Sequence, residues 1–172
     1  MLTLTLGCGS TPTQSTTTST SSTDTSSKYK EILVTIDNAR SFITDNYKSG
    51  TTGSPYYAEE GKCFFMLYVI VENVGCSKEI STHPWGFEIT IDNVVYGPDT
   101  YIGTKELQTV DLLKGGKTEG YVVFDIPISY LNKEFRYSIL YQPLLSGYGC
   151  EVEYKFIETD ASQIPQEKEE VI

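Results

Sequence analysis

An all-β sandwich is the fold this sequence predicts, and three observations predict it. Short segments rich in β-branched and aromatic residues recur from residue 29 to residue 157, each bounded by Gly, Pro, Asn or Asp. No stretch longer than two turns carries a helical period. Thirteen tyrosines stand against two methionines, a bias toward side chains that pack on a pleated surface. About seven or eight such strands with turns between them make an antiparallel β-sandwich.

Each segment has its own warrant. "YKEILVTIDNA" (29–39) alternates Ile32, Val34 and Ile36 with polar neighbours, the pattern of a half-buried strand. "TDNYKSGTTGSPYYAEEGK" (44–62) reads as a long, turn-rich loop. "CFFMLYVIVEN" (63–73) is apolar in both phases up to Glu72, so it predicts a central strand covered on both faces. "WGFEITID" (85–92) and "NVVYG" (93–97) form a hairpin around Asp92-Asn93, residues that tolerate a left-handed turn. "KTEGYVVFDIP" (117–127) follows a Lys-Gly-Gly-Lys turn and stops at Pro127. "EFRYSILYQ" (134–142) and "GCEVEYKFI" (149–157) alternate once more, the second with Glu151, Glu153 and Lys155 on a wet face.

Before this domain the composition is different. Fifteen of the eighteen residues from 10 to 27 are Ser or Thr. Such a segment has no apolar surface to offset the entropy of ordering and serves as a flexible tether. It follows "LTLTLGC" (2–8), which resembles the end of a lipoprotein signal peptide, with small Gly7 before a cysteine, Cys8, that becomes lipidated. Only seven residues precede Cys8 and none is basic, so the other reading is a frayed terminus with an incidental cysteine. The expected division is residues 1–7 as signal remnant, 8–27 as tether, 28–157 as sandwich and 158–172 as an acidic disordered tail. The address this implies is extracellular, on the cell surface, anchored in the membrane through Cys8.

Bulk charge narrows the partners. The 172 residues carry 13 Lys or Arg and 23 Asp or Glu, a formal charge of −10. Nucleic acid demands a basic patch, and this balance argues against it. No apolar run approaches the ~18–20 residues of a membrane-spanning helix.

Two blocks carry a family likeness. "GKCFFMLYVIVENVG" (61–75) closes a long apolar strand on Glu-Asn-x-Gly, and "LLKGGKTEGYVVFDIP" (112–127) follows with a Gly turn and Gly-Tyr-x-x-Phe-x-x-Pro. Together they resemble a family of immunoglobulin-like domains of unknown function found in secreted bacterial and archaeal lipoproteins. That family shares its fold with a secreted mycobacterial immunoprotective antigen. The resemblance covers about residues 29 to 142 and implies an immunoglobulin-like sandwich in an extracellular setting. It carries over no catalytic or metal residue, because its motifs describe strand and turn chemistry.

With Cys8 set aside, Cys63, Cys76 and Cys150 remain. Cys63 and Cys76 sit at opposite ends of one extended segment, up to ~40 Å apart, and cannot bridge. If the sandwich is immunoglobulin-like, the last strand returns antiparallel to 134–142 and brings Cys150 beside Cys76. That bridge would leave Cys63 a buried thiol; the alternative is three free thiols. Zinc would need four close N or S ligands, and a blue-copper site two histidines. Only His83 exists, next to Pro84, and it reads as a loop residue. No metal or cofactor is expected.

Catalytic patterns are missing as well. No Gly-x-Ser-x-Gly or phosphate loop occurs, and the acidic residues single out no pair for glycoside hydrolysis. The expectation is a noncatalytic module that binds a protein or glycan, rather than an enzyme with an unrecognised site. Its candidate contacts are the aromatics of predicted loops and strand ends: Tyr47, Tyr56, Tyr57, Trp85 and Tyr148. Packing over the sandwich rim is the competing role for those tyrosines. A structural envelope component that self-associates is the other class.

Overall fold

The structure, a computed structural model, describes residues 31–143 and the backbone of 152–155. In chain order the strands are β1 (Ile32–Ile36), β2 (Phe42–Thr44), β3 (Asn46–Lys48), β4 (Pro55–Tyr57), β5 (Lys62–Asn73) and β6 (Ile80–Thr82). They continue with β7 (Phe87–Ile91), β8 (Val94–Tyr96), β9 (Val110–Leu112), β10 (Lys117–Pro127), β11 (Tyr137–Tyr141) and β12 (Val152–Lys155). The fold is the all-β, antiparallel sandwich the sequence predicts. The tether with Cys8, the acidic tail, Tyr148 and Cys150 lie outside the described residues.

One sheet runs β10-β5-β1-β12, with β2 also on β5; a second runs β11-β7-β8, and β3-β4 and β6-β9 form two-stranded sheets of their own. The backbone of the first is the β5–β10 ladder, eleven residue pairs from Lys62↔Pro127 to Glu72↔Lys117. Cys63, Phe65, Leu67, Val69 and Val71 point into the space between the sheets. They meet Ile89 and Ile91 of β7, Tyr137, Ile139 and Tyr141 of β11, and Ile32 and Val34 of β1. This is the alternation that the sequence shows in each of those strands. The opposite phase of β5, Phe64 and Met66, is also buried, in a second cluster with Tyr47 and Val123.

The two motifs of the family likeness act on the backbone. Asn73 ends β5 fully buried, and its side-chain amide donates to the carbonyl oxygens of Leu112 (3.0 Å) and Lys78 (3.2 Å). It thereby ties the β6–β9 pair to the end of the long ladder. Gly115, at φ 84°, turns the chain so that its N–H reaches the Asn73 carbonyl at 2.6 Å. Gly120 is needed for space instead, since a Cβ there would lie 2.5 Å from the Leu107 backbone nitrogen. Its bare Cα lets the segment around Glu106 and Leu107 close the outer edge of β10. The Asp92-Asn93 hairpin is as expected, with both residues left-handed at φ 49° and 64°.

Three expectations are corrected. Residues 44–62 are no simple loop: they contain the β3–β4 hairpin, whose strands are too short for an alternation signal to register. Trp85 does not begin a strand; it lies in a 3-10 turn, Pro84–Gly86, and β7 starts at Phe87. The last strand, β12, does not return along 134–142. It pairs parallel with β1, Ile32 opposite Val152, while β11 pairs with β7 in the other sheet.

The sandwich therefore has two distinguishable poles. At the near pole, β1 begins, β5 ends and the Gly115-Gly116 turn sits. At the far pole, β5 begins, β10 ends, and the Ile128 N–H bonds the Gly61 carbonyl. The Tyr130 hydroxyl reaches Asp92 there at 2.8 Å. Twelve residues of β5 set the poles about 40 Å apart.

Two outcomes test this architecture. Val69 is fully buried between the sheets, so Val69→Asp strands a charge without a partner. The variant should show no cooperative melting transition; a soluble, cooperatively folded Val69→Asp protein contradicts the register. The second concerns the thiols. Val152 pairs with Ile32, Ile32 with Asn73, and the Cys76 N–H faces the Glu31 carbonyl. Residue 150 is two residues upstream of Val152, at most ~7 Å away along the chain. We propose on this register, reached by a different strand order from the expected one, that Cys76 bridges Cys150. Oxidised protein should release a Cys76–Cys150 linked peptide. Cys63 is a free, fully buried thiol whose pKa burial pushes up to about 11, so it should alkylate only after unfolding.

Candidate functional site

The β3–β4 hairpin lies across the outer face of the β5–β10 ladder, and it holds three of the five candidate aromatics. Thr44 at the end of β2 pairs with Phe64, which brings the following residues back over β5. The Thr44 hydroxyl accepts the Asn46 N–H and so turns the chain into β3. Tyr47 and Tyr56 then stand directly opposite one another on the inward phase. Tyr57 and Asn46 take the outward phase.

The three tyrosines have three different roles. Tyr47 is buried, with its ring 5.0 Å from both Phe64 and Tyr101, and its hydroxyl accepts the Ile102 N–H at 3.4 Å. Burial raises its pKa above the ordinary phenol value. Tyr56 stacks on Phe64 at 5.8 Å and keeps an exposed edge. Tyr57 is 67% exposed and open to solvent. Trp85, 59% exposed, belongs elsewhere: its turn is fastened by Gln142 N–H to the Gly86 carbonyl, on the β7–β11 sheet. The structure thus brings Tyr47, Tyr56 and Tyr57 together and leaves Trp85 apart; Tyr148 falls outside the described residues.

Sequence reasoning missed the floor beneath the hairpin. Tyr101 lies against Tyr47, and Tyr121 against Tyr101 and Tyr68. Tyr68 was legible as the outward phase of β5; Tyr101 was not, since it sits in an irregular segment. Gly103 was the available signal, because a Cβ at this position would fall within 1.9 Å of the Tyr101 ring.

Charged groups gather at the far pole. The Lys62 ammonium bridges Glu59 (2.6 Å) and Asp125 (3.2 Å). Hydrogen bonding to Lys62 lowers the Glu59 pKa, whereas burial raises that of Asp125 against the pull of the same lysine. His83 is held below its ordinary pKa by burial. Among the described residues no group of three His, Cys, Asp or Glu is placed to hold a metal ion. What the hairpin presents to solvent is the ring of Tyr57 and an edge of Tyr56, over a buried Tyr47.

Known proteins supply a family for this fold. A family model described as a domain of unknown function (DUF4352) matches residues 13–148. No curated protein matches the chain. Among solved structures, it is similar to a candidate lipoprotein from Bacillus subtilis subsp. subtilis str. 168, at 17% identity and a TM-score of 0.49. That match covers 69% of this chain but only 32% of the other, so this chain spans about a third of that protein. It is also similar to an uncharacterized β-sandwich protein from Clostridium difficile 630, at 14% identity and a TM-score of 0.39, covering 72% and 84% of the two chains.

The seating of the hairpin predicts a contrast. Tyr47→Ala removes a buried ring and should cost about 3–5 kcal/mol in urea unfolding. Tyr57→Ser should change stability by no more than about 0.5 kcal/mol, as befits an exposed position. Equal losses at the two positions contradict the described phase of β3 and β4.

Proposed function

We propose that this chain, which belongs to the DUF4352 family, is a lipid-anchored cell-surface domain that binds a protein or glycan without catalysing a reaction. Gly7-Cys8 and the Ser/Thr tether support the anchor. The observation that carries the reading is the separation of the poles. The tether runs into β1 at the near pole, while the hairpin with Tyr56 and Tyr57 springs from the far half of β5. An anchor on Cys8 therefore attaches at the pole opposite the exposed tyrosines and leaves them open to an extracellular partner. Tyrosine suits such contacts, having a rigid apolar ring with a polar tip. In this reading the immunoglobulin-like sandwich is a rigid spacer, and its surface is the functional part.

One observation favours a structural, self-associating role instead. Among the described strands β8 pairs only with β7, and it exposes Val94 and Val95 at 50% and 60%. A bare apolar edge invites a strand from a second copy.

One preparation decides between anchor, monomer and assembly. Cys8→Ser in the full-length precursor should move the protein from the detergent phase to the aqueous phase. Retention in the membrane at the wild-type level rejects the anchor. Light scattering on the released protein should give a monomer; a stable oligomer that dissociates on Val95→Lys selects the structural role.

A further inference from the structure

Five of the tyrosines form one unbroken file across the outer face of β5 and β10. From the inside outward the ring centroids are 4.9 Å apart (Tyr68–Tyr121), 6.0 Å (Tyr121–Tyr101), 5.0 Å (Tyr101–Tyr47) and 5.3 Å (Tyr47–Tyr56). Tyr68 closes the inner end beneath the Arg40 guanidinium, which lies 3.7 Å above its ring. Tyr56 ends the file at the surface with 41% of its area exposed. Two of the file's hydroxyls also hold backbone, Tyr47 accepting the Ile102 N–H and Tyr121 donating to the Arg40 carbonyl, so the file is fixed in place at both its rings and its oxygens.

The geometry points to an oxidation relay, in which a one-electron hole received within the file migrates to Tyr56 and is fixed there as a dityrosine cross-link between two copies. Phenols are among the side chains most readily oxidised by one electron, and rings in near contact exchange electrons readily. The direction follows from where the proton can go. An oxidised phenol becomes a neutral tyrosyl radical only when its O–H proton leaves. In the middle of the file the protons are held: the Tyr121 hydroxyl donates to the Arg40 carbonyl at 3.1 Å, and burial pushes the Tyr101 pKa up to about 12. Arg40 above Tyr68 further disfavours positive charge at the inner end. At Tyr56 water takes the proton, so the radical settles there.

The chemistry balances with a named oxidant class. Each of two chains gives one electron to a one-electron oxidant, such as the oxidised haem of a peroxidase working on hydrogen peroxide, and one proton to water. The two Tyr56 radicals couple through ring carbons ortho to the oxygens, and the rings regain aromaticity by moving the ortho hydrogens to oxygen. The product is the two chains less two hydrogen atoms.

The test starts the hole at the inner end. Glu119 forms an ion pair with Arg40 at 3.6 Å beside Tyr68 and is partly exposed. A Cys8→Ser, Glu119→Cys chain is labelled there with a ruthenium polypyridyl photo-oxidant, and peptide mapping verifies the site. Flashes with a sacrificial electron acceptor should give covalent dimers joined at Tyr56, read by mass spectrometry. Tyr101→Phe keeps the ring but removes the readily oxidised phenol, and should abolish the Tyr56 link while radical products persist at Tyr68 or Tyr121. Tyr47→Phe serves the same purpose should Tyr101→Phe fail to melt cooperatively. A Tyr56 link at undiminished yield in a folded Tyr101→Phe or Tyr47→Phe chain, or no Tyr56 product in the labelled parent, overturns the relay.

Discussion

Because β5 is apolar in both phases, neither of its faces can be left to water, and the rest of the chain is arranged around that constraint. The inner phase meets β7 and β11, which closes the sandwich in the ordinary way. The outer phase is covered by smaller pieces, the β3–β4 hairpin on one side and the segment around Tyr101 on the other. Burying the outer Phe64 and Met66 side chains is worth roughly 1.5–3 kcal/mol each, enough to hold two short strands that could not stand alone. The surface proposed for recognition is therefore also the lid of a second core.

How legible this was depended on the kind of signal. Long periodic segments were read directly: Ile32, Val34 and Ile36, the two-faced 63–73 run, and the alternation of Tyr137, Ile139 and Tyr141 all stand where their pattern puts them. So did the Asp92-Asn93 turn, whose left-handed geometry leaves few other residue types. The short strands were illegible because three residues cannot establish a period. Strand neighbours were illegible for a different reason. Alternation says which side of a strand is buried but nothing about which strand lies beside it, and β12 found β1 rather than β11. In the candidate site, composition marked Tyr56 and Tyr57 but could not tell them from Tyr47, since one residue's shift reverses the face.

The glycines and Asn73 show where the family motif draws its meaning. Asn73 uses its side-chain amide to hold two separate backbone segments, and Gly120 makes room for a third. These are constraints on how segments approach one another, and they are satisfied at the near pole and along the β10 edge. The hairpin that carries the exposed tyrosines contributes to neither motif. The motif residues and the exposed tyrosines are thus different positions, and a solvent-facing one such as Tyr57 is open to change without disturbing the ladder.

The way the chain enters the sheet has a mechanical side. β1 begins with Ile32 at the near pole and lies between β5 and β12, its axis along the line joining the poles. On the proposed reading, tension between a membrane anchor and a partner at the far pole would act along that axis. Such a force would load the hydrogen bonds from Ile32 to Ile36 in shear, all together, rather than opening them one after another from an end. A domain pulled along β1 in this way would give way only when that whole ladder yields at once.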